Sequence, residues 1–130
     1  MKLCHPYLKG GGEIINLASK SALRADSEGY GAYAAVKEAI RALTRTAAVE
    51  WGPDSILVNC IMPLAKSTGM EWWMSERPEE AAEFVKTIPL GRVGDCKDDI
   101  GEAVCHLLSE GMSYITGSTI MIDGGQAFLR

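Results

Sequence analysis

An α/β fold built on a parallel sheet is what three features of this 130-residue sequence predict. Its apolar runs are short and unbroken, as in "GEIINLAS", "ILVNCIMP" and "STIMID", which suits strands covered on both faces. Stretches of helical periodicity lie between them. Glycine and proline punctuate the joins, as in "GGG", "WGPDS" and "DGG". The resulting order is β-α-β, a long insert, then α-β, which calls for right-handed crossovers in a parallel sheet.

The first strand is expected over residues 12–19, with Ile14, Ile15 and Leu17 buried and Ser19 at its exit. The polar "KSALRADSEGYG" that follows reads as a loop. A helix is expected from residue 32 to about residue 50, since Ala, Glu and Arg are strong helix formers. Ala35, Ala39, Ala42, Leu43, Thr46, Ala47 and Val49 give it an i, i+3, i+4 stripe, and Gly52 and Pro53 end it. The second strand spans residues 56–63 and closes at Pro63. Residues 64–94 mix polar and bulky side chains. Within them "RPEEAAEFVK" reads as a short helix with Pro78 in its first turn. A third helix, residues 95 to about 109, carries Ile100, Ala103, Val104, Leu107 and Leu108 on one face. A last strand, residues 119–123, stops at Gly124 and Gly125.

Three strands make a thin sheet for this architecture. The first begins within about a dozen residues of the N-terminus, so nothing upstream is expected to cover both of its edges. The sequence is therefore expected to be a single partial domain, residues 1–130, that forms the C-terminal part of a larger α/β unit or pairs with another chain.

Composition narrows the function. A net charge of -4 with scattered Lys and Arg argues against a nucleic-acid surface. No apolar run approaches the roughly 20 residues of a membrane helix, and the N-terminus lacks a signal-peptide core. Cys4, Cys60, Cys96 and Cys105 form no C-x-x-C pair, and Cys60 and Cys105 sit in apolar segments. They read as buried free thiols in a reducing, cytoplasmic setting. His5 and His106 lack partners at ligand spacing, so no metal site is expected.

"GYGAYAAVK" holds the chemistry and contains two overlapping patterns. From Gly29 it is G-x-G-x-x-A, close to a dinucleotide fingerprint. Such a loop must come straight off a strand, so that helix N–H groups meet the pyrophosphate. Here a polar loop precedes it, and Glu50, near the spacing of a ribose-binding acid, ends a helix instead of a strand. Gly29 and Gly31 read more simply as turn residues. From Tyr33 it is Y-x-x-x-K, with Tyr33 and Lys37 on one helix face. A free phenol ionises near pH 10, and a nearby ammonium favours its ionised form, which lets it exchange protons at neutral pH. Tyr30 has only Ala34 one turn on. Ser19, 14 residues before Tyr33, lies at the C-terminal end of a parallel strand, where open α/β sheets bind ligands. Its hydroxyl can hold a substrate oxygen or simply cap the next turn, and Ser21 is a weaker substitute.

With these residues in place, the sequence resembles the short-chain dehydrogenase/reductase family. "GGGEIINLAS" resembles its strand to the catalytic serine. "YAAVKEAIRALTRTAAVEWGPDSILVNCIMP" resembles its Y-x-x-x-K helix and next strand. "PLGRVGDCKDDIGEAVCHLLSEGMSYITGSTIMIDGG" resembles its closing helix and strand. The resemblance implies a doubly wound, Rossmann-like fold, NAD or NADP as cofactor, a small-molecule alcohol or carbonyl substrate, and a homo-oligomer, dimer or tetramer. By it Ser19, Tyr33 and Lys37 are catalytic. Tyr33, Lys37, Pro63 and Thr68 border the cofactor, with Lys37 on the nicotinamide ribose and Thr68 on the carboxamide. Two departures stand out: Leu64 where the family has glycine after the proline, and Lys66 where it has an apolar residue. The family's glycine-rich N-terminal half has no counterpart, as if the sequence began just before the fifth strand.

Trp72, Trp73 and Met74 cannot all face one way on a helix, so some are expected to cover a ligand or a partner. The resemblance makes residues 64–94 a mobile, lid-like insert. Trp and Met there favour a largely apolar alcohol or ketone. Against an NAD(P)-dependent oxidoreductase stands one rival from another class, a non-catalytic interaction module that packs through the small residues Ala35, Ala39 and Ala42.

Overall fold

The computed structural model describes residues 1–25 and 29–128. Three strands, β1 (Glu13–Leu17), β2 (Leu57–Pro63) and β3 (Thr119–Ile122), form one parallel sheet in that order. Glu13 pairs with Leu57 and Leu17 with Ile61, while Cys60 pairs with Thr119 and Pro63 with Ile122. β2 is central, and its Val58, Cys60, Ile61 and Met62 are at most 1% exposed. Burying apolar side chains such as Ile61 and Met62 stabilises the fold by roughly 1.5–3 kcal/mol each. The strands are one to three residues shorter than their apolar runs because the flanking residues leave the ladder for turns.

The N-terminus winds through a 3₁₀ turn (Lys2–Cys4) into a short helix α1 (His5–Leu8), which the sequence did not announce. His5 Nε2 lies 2.8 Å from Asp54 Oδ2 and its ring packs 5.0 Å from that of Trp51, so this histidine ties α1 to the chain before β2. Three glycines then turn the chain into β1. A Cβ on Gly12 would fall 2.4 Å from that of Leu8, a contact no side chain tolerates.

Helix α2 (Gly31–Trp51) crosses from β1 to β2. Its sheet-facing side is not the stripe read from the sequence. Ala47 and Ala48 pack with Ile56 and Val58, and Ile40 packs against Ala18, Cys60 and Met62. Of the expected stripe only Ala47 is buried; Ala35, Ala39, Ala42, Leu43, Thr46 and Val49 face outward. The helix is apolar on two sides, and periodicity alone cannot say which side meets the sheet. A polar tie hid the true face: Thr44, 1% exposed, accepts a hydrogen bond from Asn16 Nδ2 at 2.9 Å and donates to the Ile40 carbonyl at 2.8 Å.

After β2 the chain makes an excursion and returns to the same point. Lys66 N–H donates to Gly94 O at 2.9 Å, and Gly94 N–H donates to Leu64 O at 3.2 Å. A Cβ at Gly94 would lie 2.9 Å from that Leu64 oxygen, so the closure needs glycine. Inside it lie α3 (Thr68–Glu76) and α4 (Pro78–Lys86). The second matches the expected short helix, with Pro78 in its first turn. The first was not anticipated; Ser67 starts it by accepting Met70 N–H at 3.3 Å. The three bulky residues do split. Met74 joins the cluster around Leu64, Ile88 and Val93, Trp73 meets the Phe84 ring edge-to-face at 5.7 Å, and Trp72 is 66% exposed.

The third helix forms where expected, but its first turns are wound as a π-helix (Cys96–Gly101) before α5 (Glu102–Leu107). Asp95 caps it by accepting from Lys97 N–H and Asp98 N–H at 2.7 and 2.9 Å. Ile100, Ala103, Val104 and Leu107 are half-buried as expected, while Leu108 is exposed. Cys105 corrects the sequence reading: of the four free thiols only Cys60 is buried, and Cys105 lies on the outer side of α5. Part of the loop read from residue 20 to residue 31 is a 3₁₀ turn (Lys20–Leu23); Asp26, Ser27 and Glu28 lie outside the described residues.

Candidate functional site

The chain leaves β1 at Leu17, and Ala18 N–H still donates to Ile61 O at 2.9 Å. Ser19 follows in extended conformation and caps the 3₁₀ turn. Its Oγ accepts Ser21 N–H at 3.2 Å and donates to Ser21 Oγ at 3.3 Å. The capping role weighed from sequence is therefore present. It does not exhaust the hydroxyl, which keeps a second acceptor site and a donor that can rotate to a better partner.

Lys37 comes from the second turn of α2. Its Nζ donates to the Leu17 carbonyl at 3.0 Å, which sets the ammonium at the end of β1, two residues from Ser19. Backbone hydrogen bonds alternate along a strand. Since Gly12 and Ala18 bond to β2, the carbonyl of Leu17 points to the open edge of the sheet. Lys37 thus satisfies an acceptor that no strand covers among the described residues. The same Nζ stands 5.5 Å from the centre of the Tyr33 ring, so the phenol and the ammonium share one face, as their spacing predicts. Tyr33 is 45% exposed and meets Tyr30 edge-to-face at 6.1 Å. Tyr30, set aside as a catalytic candidate, braces the ring of Tyr33 instead.

Pro63 ends β2 on the neighbouring strand, so it shares the C-terminal sheet edge with Ser19, where ligands bind in open α/β folds. Leu64 explains one departure from the family pattern: it is 6% exposed and packs with Ile88, Val93, Met70 and Phe84, so it anchors the excursion. Lys66 is exposed. Thr68 is the first residue of α3, past the same edge in the chain, and is exposed. Gly29 has φ 80°, Gly31 opens α2, and the preceding strand ended at Leu17; this glycine pair does not issue from a strand as a pyrophosphate loop must.

One residue at this edge escaped the sequence reading. Lys20, directly after Ser19, lays its Nζ 4.6 Å from the centre of the Phe84 ring and donates to Gln126 Oε1. Burial, then the charge of Arg24, push its ammonium down to about 8, with Asp123 acting the other way. Its position beside the strand-end serine was the available signal.

Comparisons with known proteins agree with this fold. The family profile described as enoyl-(acyl carrier protein) reductase matches residues 1–127. The chain is 41% identical to the 12alpha-hydroxysteroid dehydrogenase of Clostridium sp. over 126 residues, which cover 96% of it and 48% of that protein. It is 37% identical to a tropinone reductase homolog of Arabidopsis thaliana, over 95% of itself and 47% of the relative. The crystal structure of a Brucella melitensis short-chain dehydrogenase/reductase superposes with a TM-score of 0.86 at 29% identity, over 98% of this chain and 50% of the other. Levodione reductase does so with a TM-score of 0.80 at 33% identity, over 96% and 49%. The chain thus spans about half the length of the relatives it matches.

Proposed function

The chain belongs to the short-chain dehydrogenase/reductase family, and on that premise we propose that it carries the catalytic half of an NAD(P)-dependent oxidoreductase that interconverts an alcohol and a carbonyl compound. The observation that carries this reading is the Lys37 ammonium, which touches both the end of the Ser19 strand and the face of Tyr33. A nicotinamide cofactor would supply or accept the hydride. Lys37 and Thr68, at the C-terminal sheet edge, fit its ribose and carboxamide end, beside Pro63. No glycine loop off a strand for the pyrophosphate is found among the described residues.

In the reducing direction the substrate carbon gains a hydride while its oxygen gains the Tyr33 hydroxyl proton. Ser19 turns its hydroxyl from Ser21 to that oxygen and holds it in line with the phenol. The positive charge of Lys37 stabilises the negative charge left on Tyr33. Oxidation runs the same transfers backward. The α3–α4 excursion would serve as the lid over this edge, with Phe84, which meets Lys20, and its neighbour Trp73 toward the substrate.

A second reading has an observation of its own. Val36, Leu43 and Val49 are 59%, 57% and 80% exposed on the outer side of α2, among small alanines. That stripe suits a second copy of the chain, so α2 would serve both catalysis and assembly, or assembly alone if the Tyr33 reading fails.

The test is a chimera in which the N-terminal half of the 12alpha-hydroxysteroid dehydrogenase precedes residue 1, assayed for nicotinamide-dependent turnover. The 130-residue chain alone should show little turnover. In the chimera, Tyr33→Phe should lower kcat by about 10²–10⁴. Turnover unchanged by that substitution defeats the catalytic reading.

A further inference from the structure

Lys20 stands beside Ser19, at the sheet edge to which the proposed reaction assigns its substrate. It follows Ser19 at the end of β1, and its side chain runs under the excursion to the Phe84 ring of α4 and to Gln126 beyond β3. Its surroundings hold the ammonium in place without pairing it. Gln126 is a neutral acceptor, and its own amide is spent on Thr87 Oγ1 at 3.3 Å, which in turn donates to Phe84 O at 2.7 Å. Asp123 is near enough for its charge to favour the ammonium, but its carboxylate turns to the backbone, accepting Gly125 N–H at 3.0 Å and Ala127 N–H at 2.8 Å. Among the described residues no carboxylate lies within ion-pair distance of Lys20. Arg24, the other charged group acting on it, repels it. A half-buried ammonium held by an amide and a ring face retains an unmet demand for a negative partner.

We propose that Lys20 is a specificity-determining residue that selects substrates bearing a carboxylate on the same molecule as the reacting carbonyl or hydroxyl. The inference rests on the proposed alcohol/carbonyl chemistry, which it narrows from a largely apolar compound to an apolar one with a single acidic group. The carboxylate displaces the Gln126 amide from the ammonium, the apolar part lies against Phe84 and Trp73, and the reacting oxygen reaches Ser19. Since Lys20 loses its proton near pH 8 in the free chain, with Arg24 and Asp123 the other charged groups acting on it, the selectivity falls as pH rises above that value.

The experiment titrates the intact 130-residue chain with levulinate and with 2-pentanone, the same carbon skeleton without the carboxylate, followed by NMR shifts. Levulinate should bind about tenfold more tightly, the worth of one charge-assisted hydrogen bond. Lys20→Met should erase that preference and Lys20→Arg should keep it. In the wild-type chain, without any substitution, levulinate should raise the titration midpoint of the Lys20 ε-methylene resonances and 2-pentanone should leave it in place. Equal affinities, an unmoved midpoint, or a preference that survives Lys20→Met overturns the proposal. The readout is binding, so it stands apart from the Tyr33→Phe turnover test: either can fail while the other holds.

Discussion

Thr44 shows how much one hydroxyl can organise. It sits at the interface of α2 and β1, almost without exposure, and meets both hydrogen-bonding needs through Asn16 and its own helix. Thr44→Val keeps the volume and removes the acceptor for the Asn16 amide. It should cost about 1–2 kcal/mol, the penalty of a part-buried donor left short of a partner. Urea unfolding of the two chains measures this, and identical midpoints would mean that water reaches Asn16. At the same scale, the placing of Ser19 at a strand end and of Tyr33 and Lys37 on one helix face was legible because strand end and helix spacing are local facts. Lys20 was not, because the groups that give it meaning, Phe84 and Gln126, are 64 and 106 residues away in sequence.

Among the elements, the start of the third helix depends on a chain of carboxylates. Asp95 caps it, and Asp99 accepts Asp95 N–H at 2.6 Å and the Arg92 guanidinium at 2.5 and 2.6 Å. These bonds, the Arg92 contact first, hold the Asp99 carboxyl well below the usual carboxylate range. A lowered value in the folded state means that the stabilisation is present above the unfolded value of about 4 and is lost as pH falls through the lower folded value. Asp99→Asn should therefore lower the melting temperature at pH 7, and the gap to wild type should shrink as pH drops below about 4. A gap that widens in acid contradicts the assignment. The elements themselves were mostly readable. α3 was missed because its cap, Ser67, precedes a run whose bulky residues split between core and solvent and so carry no clean period.

For the whole molecule, the open features lie together. The outer edge of β1 has no partner strand among the described residues, Leu17 beside it is 56% exposed, and α2 turns an apolar stripe outward. If that stripe seats a second copy, replacing Leu43 and Val49 by Glu should shift the chain to a smaller species in light scattering while circular dichroism stays unchanged. An unchanged mass would remove the assembly surface from α2.

The sequence by itself determined the order of the elements, the parallel sheet and the Tyr33–Lys37 face, because strand and helix periods are properties of neighbouring residues. Only the tertiary structure decided which side of α2 meets the sheet, that Cys105 is exposed, and that Lys20 stands beneath α4. Those outcomes depend on what packs across long sequence separations. Where a helix is apolar on two sides, the sheet chooses the face.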